Sequence, residues 1–485
     1  MAKITRYSPM LRVAIPLLLG VVCATHFPFS LLWSLALFAA AVALFILLRL
    51  KVLIYPMIFI FGLFVVSLWS PSSELEAREK ARVTISVGEE NQARIIAIYS
   101  PESQEWQRCN HKVSLYGSEL TPHTTVVGEA RIKPYDPEVS DYFKSFYLRR
   151  IRHRVSLISL EKQSAPSPPL STRLNRWALT RLESLGLNSE AHSLAAAMTL
   201  SRRELLSYEV IRSYRASGTS HIMALSGMHM GIVLLLVWWL VLPFAVAHRG
   251  HLVSSVVAIV VIWLFAVMAG LGDSILRAAW MFSLLQLSLL FSRRYGSLNS
   301  MCTALVLMVT FDPFALYDLG FQLSFISVAV IVVVAAPLTR HIHLRPFLLD
   351  HAVKSILVSC VATAAVTPIV SHYFGYLTLM SPITTLVLLP TLIAIICATL
   401  LWILCPVAAL APAFRWLIEC ATTVQNFLAS WFAERGWGFV DLEISRSQMW
   451  VSYLCLLLLI FAFTIIFQKF EANLDIGRER TTDWH

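Results

Sequence analysis

Long apolar stretches alternate with short polar turns over most of this chain. Each stretch is near the length that a helix needs to cross a lipid bilayer. The pattern therefore predicts a polytopic α-helical membrane protein with about 11 transmembrane helices. We place them at about 11–27, 30–48, 52–70, 219–246, 252–271, 275–292, 298–312, 319–337, 353–372, 380–404 and 449–468.

The segment 407–435 differs from these stretches, because polar residues recur in it every three or four positions. Arg415, Glu419, Thr422 and Asn426 would form one stripe on a helix. We therefore predict a helix that packs on the bundle or lies at the interface. A crossing at 407–435 would raise the count to about twelve.

Residues 71–165 form the one sizeable polar insert, and their pattern is that of β-strands. Apolar and polar residues alternate in short runs, which glycines and prolines separate. The runs lie at 82–87, 93–99, 112–116, 125–133 and 154–160. They predict an inserted small all-β domain, an antiparallel barrel of the oligonucleotide-binding (OB-like) type. A helix is predicted at about 138–150, and a plain β scaffold is the alternative for the domain.

The chain divides into five parts on this pattern. Residues 1–70 form three N-terminal transmembrane helices and 71–165 the β domain. Residues 166–217 begin with a linker rich in serine and proline and continue as amphipathic, interfacial helices. Residues 218–470 form a second polytopic domain, and 471–485 a polar C-terminal tail.

Composition and charge support a membrane location and predict an orientation. Hydrophobic residues make up 57% of the chain and charged residues 14%, with a net charge of +10. Basic residues fall at every second turn, which the positive-inside rule assigns to the cytoplasm. We therefore expect a multi-pass protein of the cell inner (cytoplasmic) membrane. Its N-terminus would be cytoplasmic and residues 71–165 periplasmic or external.

Polar groups cluster where the second polytopic domain begins. Two histidines, a serine and three glycines lie within fourteen residues: Gly218, His221, Ser226, Gly227, His229 and Gly231. Polar side chains at membrane depth are costly and usually face a bundle interior or a wet path. We interpret His221, Ser226, Gly227 and His229 as lining a passage. Histidines that only hold helices together are the alternative, and metal binding is disfavoured because a third ligand is missing.

Two further polar motifs follow in the apolar helices. Arg277 opens the predicted helix at 275–292, where it could guide a phosphate, reach the interface or pair with Asp273. The other of these two motifs begins at Asp312-Pro313 and continues through Gly320-Phe321 to Gln322 and Ser324. We interpret Gln322 and Ser324 as passage-lining residues as well.

A basic run closes the β domain and lies near tyrosines and phenylalanines. It contains Arg149, Arg150, Arg152 and Arg154. Such a run could bind single-stranded DNA through phosphate contacts and base stacking. Binding to membrane lipid head groups is the alternative.

Together these motifs resemble the ComEC family of competence proteins. The block from Gly218 to His229 is similar to the family's most recognisable motif. Arg277 resembles the second motif, and Asp312 to Ser324 the third. Thr385 departs from the pattern, since the family's asparagine is expected there. The chain also ends without the metallo-β-lactamase-like domain of many relatives, which implies a separate nuclease.

The resemblance implies a channel that carries single-stranded DNA into the cell during natural transformation. It implies no catalytic residue, no cofactor and no metal in this chain. Expected partners are a periplasmic competence DNA-binding protein, a separate nuclease, and a cytoplasmic motor or single-strand-binding proteins. Two alternatives stay open. A small-solute transporter is one, and the other is an intramembrane serine protease in which a histidine activates Ser226.

Overall fold

The computed structural model describes residues 9–27, 29–69, 77–88, 92–100, 104–116, 124–134, 151, 153–164, 168–245, 250–290, 297–377, 379–436 and 440–482. The chain forms two compact units. The first comprises Met1–Leu179 and Val237–Gln322, and the second comprises Thr180–Leu236 and Leu323–His485. The helix predicted at about 138–150 lies outside the described residues.

The first unit begins with three apolar helices, as the pattern predicts. They are α1 (Pro9–His26), α2 (Leu31–Leu48) and α3 (Ile54–Trp69), and a 3₁₀ turn, Lys51–Leu53, precedes α3. The hydroxyl of Ser30 accepts a hydrogen bond from the backbone of Trp33 and caps α2. Gly20 and Gly62 face each other where α1 and α3 pack, and their lack of side chains lets the two backbones approach closely.

A five-stranded closed barrel follows α3. Its strands are β1 (Arg78–Val87), β2 (Gln92–Ser100), β3 (Glu105–Leu115), β4 (Thr125–Pro134) and β5 (His153–Ser164). They pair in the order β1-β2-β3-β5-β4, and β4 closes the barrel on β1. Alternate residues point inward and form the core, for example Val83, Ile85 and Ile95.

The barrel corrects the prediction in two details. The pairing of β3 with β5 is parallel, joining Ser114 to Arg154, so the sheet is not purely antiparallel. Strand β3 also begins at Glu105, seven residues before the predicted start. The sequence pattern does not predict this part of β3, because Glu105 to Arg108 are all exposed and the strand has no apolar alternation there.

Three more helices of the first unit lie in its second stretch, Val237–Gln322. Their bounds are α9 (Gly250–Met268), α10 (Asp273–Leu290) and α11 (Ser297–Phe311), followed by the 3₁₀ turn Pro313–Tyr317. The amide of Asn299 in α11 accepts a hydrogen bond from the backbone N–H of Met10, at 3.0 Å. The hydroxyls of Thr25 and Tyr317 hydrogen-bond each other. These contacts tie α1 to the later helices of the unit.

Four short helices lie around the start of the second unit, and longer helices follow them. The short ones are α4 (Leu170–Glu183), α5 (Ser189–Leu200), α6 (Tyr208–Ala216) and α7 (Ser220–Met223), with a 3₁₀ turn at Arg203–Leu205. The long ones begin with α8 (Gly227–Ala245) and α12 (Leu319–Val330). A π-helical turn (Ile331–Ala335) joins α12 to α13 (Ala336–Arg340), and α14 (Phe347–Phe374), α15 (Ser381–Leu404), α16 (Ala411–Glu434) and α17 (Arg446–Thr482) follow. Two-residue strands, β6 (Tyr376–Leu377) and β7 (Val440–Asp441), pair with each other. Helix α5 is almost wholly buried from Ala191 to Leu200, so it is not amphipathic as expected.

Helix α16 contains the polar stripe of segment 407–435, and the stripe packs inside the second unit. The phenol of Tyr214 donates to the amide oxygen of Asn426 at 3.2 Å. The carboxylate of Glu419 accepts from the backbone N–H of Asn188 at 3.0 Å. These contacts agree with a helix packed on the bundle, and α16 is not among the candidate membrane spans.

Seven helices in the described part of the chain are long and apolar enough to cross a membrane. They correspond to the first three and the last four predicted stretches. Three shorter apolar helices lie at Gly227–Val241, Leu252–Met268 and Ser297–Phe311, and α10 carries polar residues such as Arg277. The chain is thus mostly helical with several candidate membrane spans and a small sheet domain. The count of 11 stays a prediction.

Candidate functional site

The strongest polar motif lies at a break between two helices. Helix α7 ends at Met223, residues 224–226 are not helical, and α8 begins at Gly227. The prediction of one continuous helix over 219–246 was therefore wrong. Ser226 stands at the start of α8, where its carbonyl accepts from the N–H of Met230 at 3.2 Å. Serine favours such a position, since its side chain competes with helical backbone hydrogen bonds.

Ser226 and His229 contact each other across the first turn of α8. The hydroxyl of Ser226 lies 3.1 Å from Nδ1 of His229. The ring of His229 is fully buried, and its Nε2 has no hydrogen-bond partner among the described residues. One ring nitrogen therefore contacts the serine. The other can donate or accept a hydrogen bond, depending on the tautomer of the ring.

His221 makes a separate contact with the start of α15. Its Nε2 lies 3.2 Å from the hydroxyl of Thr385, and its side chain is exposed. Thr385 occupies the position where the resemblance predicts an asparagine. A threonine hydroxyl can accept or donate a hydrogen bond, as an asparagine amide can, so either residue could make this contact with His221.

The neighbouring Thr384 anchors the same helix start. Its buried hydroxyl lies 3.3 Å from the carbonyl of Ser217, and the hydroxyls of Ser217 and Thr219 are 2.6 Å apart. Ser217 and Thr219 lie at the end of α6, on either side of Gly218, which has a positive φ of 75°. Sequence reasoning missed these three hydroxyls. In the sequence, Ser217 and Thr219 lie beside the His221 motif, and Thr384 lies beside Thr385.

In the first unit, the other two motifs meet in a buried ion pair. The guanidinium of Arg277 lies 3.5 Å from the carboxylate of Asp318, and their side chains are 6% and 19% exposed. Asp318 also accepts from the backbone N–H of Phe321 at 2.9 Å. A Cβ at Gly320 would lie 3.1 Å from both charged side chains, so glycine leaves room for the pair. Gln322 donates to the carbonyl of Leu316 at 3.0 Å.

Asp312 and Pro313 have a local role at the start of the turn after α11. The Asp312 carboxylate accepts from the N–H of Phe314 at 3.1 Å and lies 3.8 Å from the ammonium of Lys112 on β3. Pro313 occupies the first position of the 3₁₀ turn, where its missing N–H costs nothing. These contacts place the third motif beside the barrel within the same unit.

The remaining predicted residues fall in different places. Ser324 is half-buried on α12 and Gly231 lies in the second turn of α8. Arg154 lies on β5, whereas Arg149, Arg150 and Arg152 lie outside the described residues. The structure therefore brings together Ser226 with His229, His221 with Thr385, and Arg277 with Asp318. Whether any of them lines a passage stays a prediction.

A bundle of apolar helices with such internal polar contacts defines a polytopic membrane protein. A family model described as Competence protein matches residues 198–469, which include all three motifs. The chain therefore belongs to the competence protein family of the ComEC type, and this confirms the resemblance drawn from its motifs.

Two relatives are similar to parts of this chain. The chain is 24% identical over 258 residues to ComE operon protein 3 of Bacillus subtilis (strain 168), which covers 52% of this chain and 32% of that protein. It is 30% identical over 186 residues to an uncharacterized protein of Aquifex aeolicus (strain VF5), covering 38% of this chain and 41% of the relative. The chain thus matches less than half the length of each relative. No solved structure matches it.

Proposed function

We propose that this chain is a channel component that passes single-stranded DNA across the cytoplasmic membrane during natural transformation. The family supports a role in DNA uptake for competence. The observation that carries the proposal is the helix break at 224–226, with the Ser226–His229 and His221–Thr385 contacts beside it. A break among apolar helices is tolerated where the backbone is buried in protein or lines a wet cavity.

The chemistry of these residues suits conduction of a polyanion. A phosphodiester backbone cannot enter hydrocarbon, so a transport path needs polar groups that replace water. Hydroxyls and neutral imidazoles offer hydrogen bonds without a fixed charge. Because tight binding would stall the strand, such groups favour movement over capture. In this proposal Gln322 and Ser324 supply further polar contacts along the path.

The proposal includes the orientation and the class of the barrel. Residues 71–165 would lie outside the cytoplasmic membrane, where incoming DNA arrives, and the turns rich in arginine and lysine would lie inside. The strand order β1-β2-β3-β5-β4 in a closed barrel supports an OB-type domain. A periplasmic DNA-binding protein and a cytoplasmic motor would act with this chain.

Transformation assays with histidine variants test the proposal. His221→Ala and His229→Ala should each abolish or sharply reduce transformation, while protein level and DNA capture at the cell surface stay normal. Labelled DNA should accumulate outside the cytoplasmic membrane. Full transformation by both variants would refute a passage through this motif. Loss of the protein from the membrane would instead assign the histidines to helix packing.

A serine protease is the alternative with a specific observation in its favour, because Ser226 and His229 are within hydrogen-bond distance. A catalytic pair also needs a third group that orients the histidine. Nε2 of His229, however, has no partner in the described part of the chain. We therefore favour a non-enzymatic role. Labelling of Ser226 by a fluorophosphonate probe, lost in Ser226→Ala, would support the protease instead.

A further inference from the structure

One outer face of the barrel, formed by β1, β2 and β3, carries an aromatic row. Tyr99 on β2 pairs in register with Trp106 on β3, and their rings meet edge to face with centroids 5.6 Å apart. Trp106 is 40% exposed. Tyr99 is half-buried, and neither ring belongs to the barrel core, so this partly exposed aromatic pair needs an explanation.

An anchored arginine holds this row in place. The guanidinium carbon of Arg82 lies 5.7 Å from the ring centre of Tyr99 and 5.8 Å from that of Trp106. Glu161 accepts from Nε of Arg82 at 3.0 Å and raises the pKa of Arg82. Glu161 thereby balances the charge of Arg82. The arginine orients the rings rather than offering a free cation.

A cationic row lies on the same face, roughly 13 Å farther along β1 by strand rise. Ser86 pairs in register with Arg94, and Arg94 with Lys112. The three residues line a cleft of 370 Å³ together with Gly88, Ala93, Val113 and Ile151. Like charges directly opposite each other on neighbouring strands destabilise a sheet, and Asp312 approaches Lys112 only to 3.8 Å. An anion in the cleft would relieve this repulsion.

We propose that this face binds single-stranded DNA, with bases stacked on Tyr99 and Trp106 and phosphates held by Arg94 and Lys112. The inference rests on the proposed function for its ligand and assigns a different surface from the basic run at 149–154. Stacking on aromatic rings together with cations along the backbone is how sequence-tolerant single-strand binding works. The contact between Lys112 and Asp312 places the cationic row beside the third motif, so a strand held here would lie next to the helices of its unit.

The test uses the full-length chain in phosphatidylcholine nanodiscs and fluorescence anisotropy with a labelled oligothymidylate. An abasic oligonucleotide of equal length is the second probe. The chain with Tyr99→Ala and Trp106→Ala should bind oligothymidylate at least about fivefold more weakly. Its binding of the abasic probe should not change. Trp106→Phe should retain most of the affinity, which controls for damage to the barrel.

Salt dependence tests the cationic row. Replacing both Arg94 and Lys112 by Gln should reduce the slope of log affinity against log salt by about 1.4, since each lost phosphate contact removes about 0.7. The matched control removes the same charge from β4 and β5 through Lys133→Gln and Lys162→Gln. It should leave the slope nearly unchanged.

Several results would overturn the inference. They are equal affinity of the wild-type chain for both probes, no loss of affinity on removal of the aromatic row, or equal slopes for the two charge variants. Equal affinities for both probes would show that bases do not stack on the aromatic row. Contact with lipid head groups would then be the remaining explanation for its exposure. None of these results bears on transport itself, because the histidine variants test the passage through transformation. The two proposals can therefore fail separately.

Discussion

The hydroxyl of Thr385 lies 3.2 Å from Nε2 of His221, although 164 positions separate the two residues. The contact joins the first turn of α15 to the short helix α7. The resemblance predicts an asparagine at position 385, and the threonine likewise gives the histidine a polar partner. Such a hydrogen bond between two helices can serve packing or uptake, so the role of the pair in a passage stays a prediction.

Substitutions at Thr385 should separate the hydrogen bond from the shape of the side chain. Thr385→Asn should retain transformation, because the amide can replace the hydroxyl. Thr385→Val keeps the shape but removes the bond, so transformation should fall. One neutral hydrogen bond contributes about 1 kcal/mol, and the protein level should therefore stay normal on an immunoblot.

A second threonine of α15 provides the control for this experiment. The hydroxyl of Thr391 donates to the carbonyl of Leu388 within the same helix, at 2.8 Å. Thr391→Val should transform normally. Normal transformation by Thr385→Val as well would show that the contact with His221 has no role in uptake.

Much of the helical architecture could be predicted, because apolar length is a strong signal in a membrane protein. The first three stretches and the last four correspond to candidate spans within a few residues. The break before Gly227 could not be predicted in the same way. Ile222 and Met223 directly before it and Met228 after it are apolar, so hydropathy alone does not show where the helix stops. The α8 start depends on the local position of Ser226 instead.

The contacts of the site were less predictable than its members. His221, Ser226 and His229 stood out by their chemistry in an apolar segment. For Arg277, pairing with the nearby Asp273 was one of three alternatives, and the ion pair with Asp318 was not foreseen. Likewise, Thr384 contacts Ser217 across 167 positions. Such contacts depend on which helices become neighbours, and spacing along one helix carries no information about that.

The Arg277–Asp318 pair predicts a rescue between two substitutions. Removing one partner leaves a buried charge and costs about 3–5 kcal/mol, so Arg277→Ala should lower the amount of folded protein. Replacing both residues, by Arg277→Met and Asp318→Leu, should restore much of it. Fluorescence-detected size-exclusion chromatography of a tagged chain measures the folded fraction.

The rescued chain also reports on the role of Arg277 in uptake. If transformation returns together with the folded protein, the arginine serves helix packing. Low transformation at a normal protein level would retain Arg277 as a passage residue. A double variant as poorly folded as Arg277→Ala would contradict the predicted rescue, and the ion pair would then not explain the burial of this arginine.

The packing of α1 on α3 predicts a strong effect of one methyl group. A Cβ at Gly20 would collide with the backbone carbonyl of Phe59, and backbone cannot move aside as a flexible side chain can. Gly20→Ala should therefore destabilise the protein by about 1–3 kcal/mol. The melting temperature of the detergent-purified chain should fall.

Gly272 offers the matched control, since a Cβ there would meet no atom within 4 Å. Gly272→Ala should melt close to the wild-type chain. Equal melting temperatures for the two alanine variants would mean that α1 and α3 are not in close contact at Gly20.

The proposed orientation predicts which exposed residues a membrane-impermeant maleimide can reach in intact spheroplasts. Lys80 is exposed on β1 and Arg345 is exposed just before α14. Lys80→Cys should be labelled and Arg345→Cys should not. Labelling of both after permeabilisation shows that each new thiol is reactive. The reverse pattern in intact spheroplasts would place the barrel in the cytoplasm. It would contradict both the proposed orientation and the inward direction of transport.

Cys109 must be removed before this labelling, because it is the one native cysteine of the barrel strands. Partial burial raises the pKa of its thiol, so less of it is thiolate at neutral pH and its labelling should increase as the pH rises. The Cys109→Ser chain therefore serves as the parent, and its labelling measures the contribution of the seven other cysteines. A signal from Lys80→Cys above that parent at neutral pH, without one from Arg345→Cys, is the result that the orientation requires.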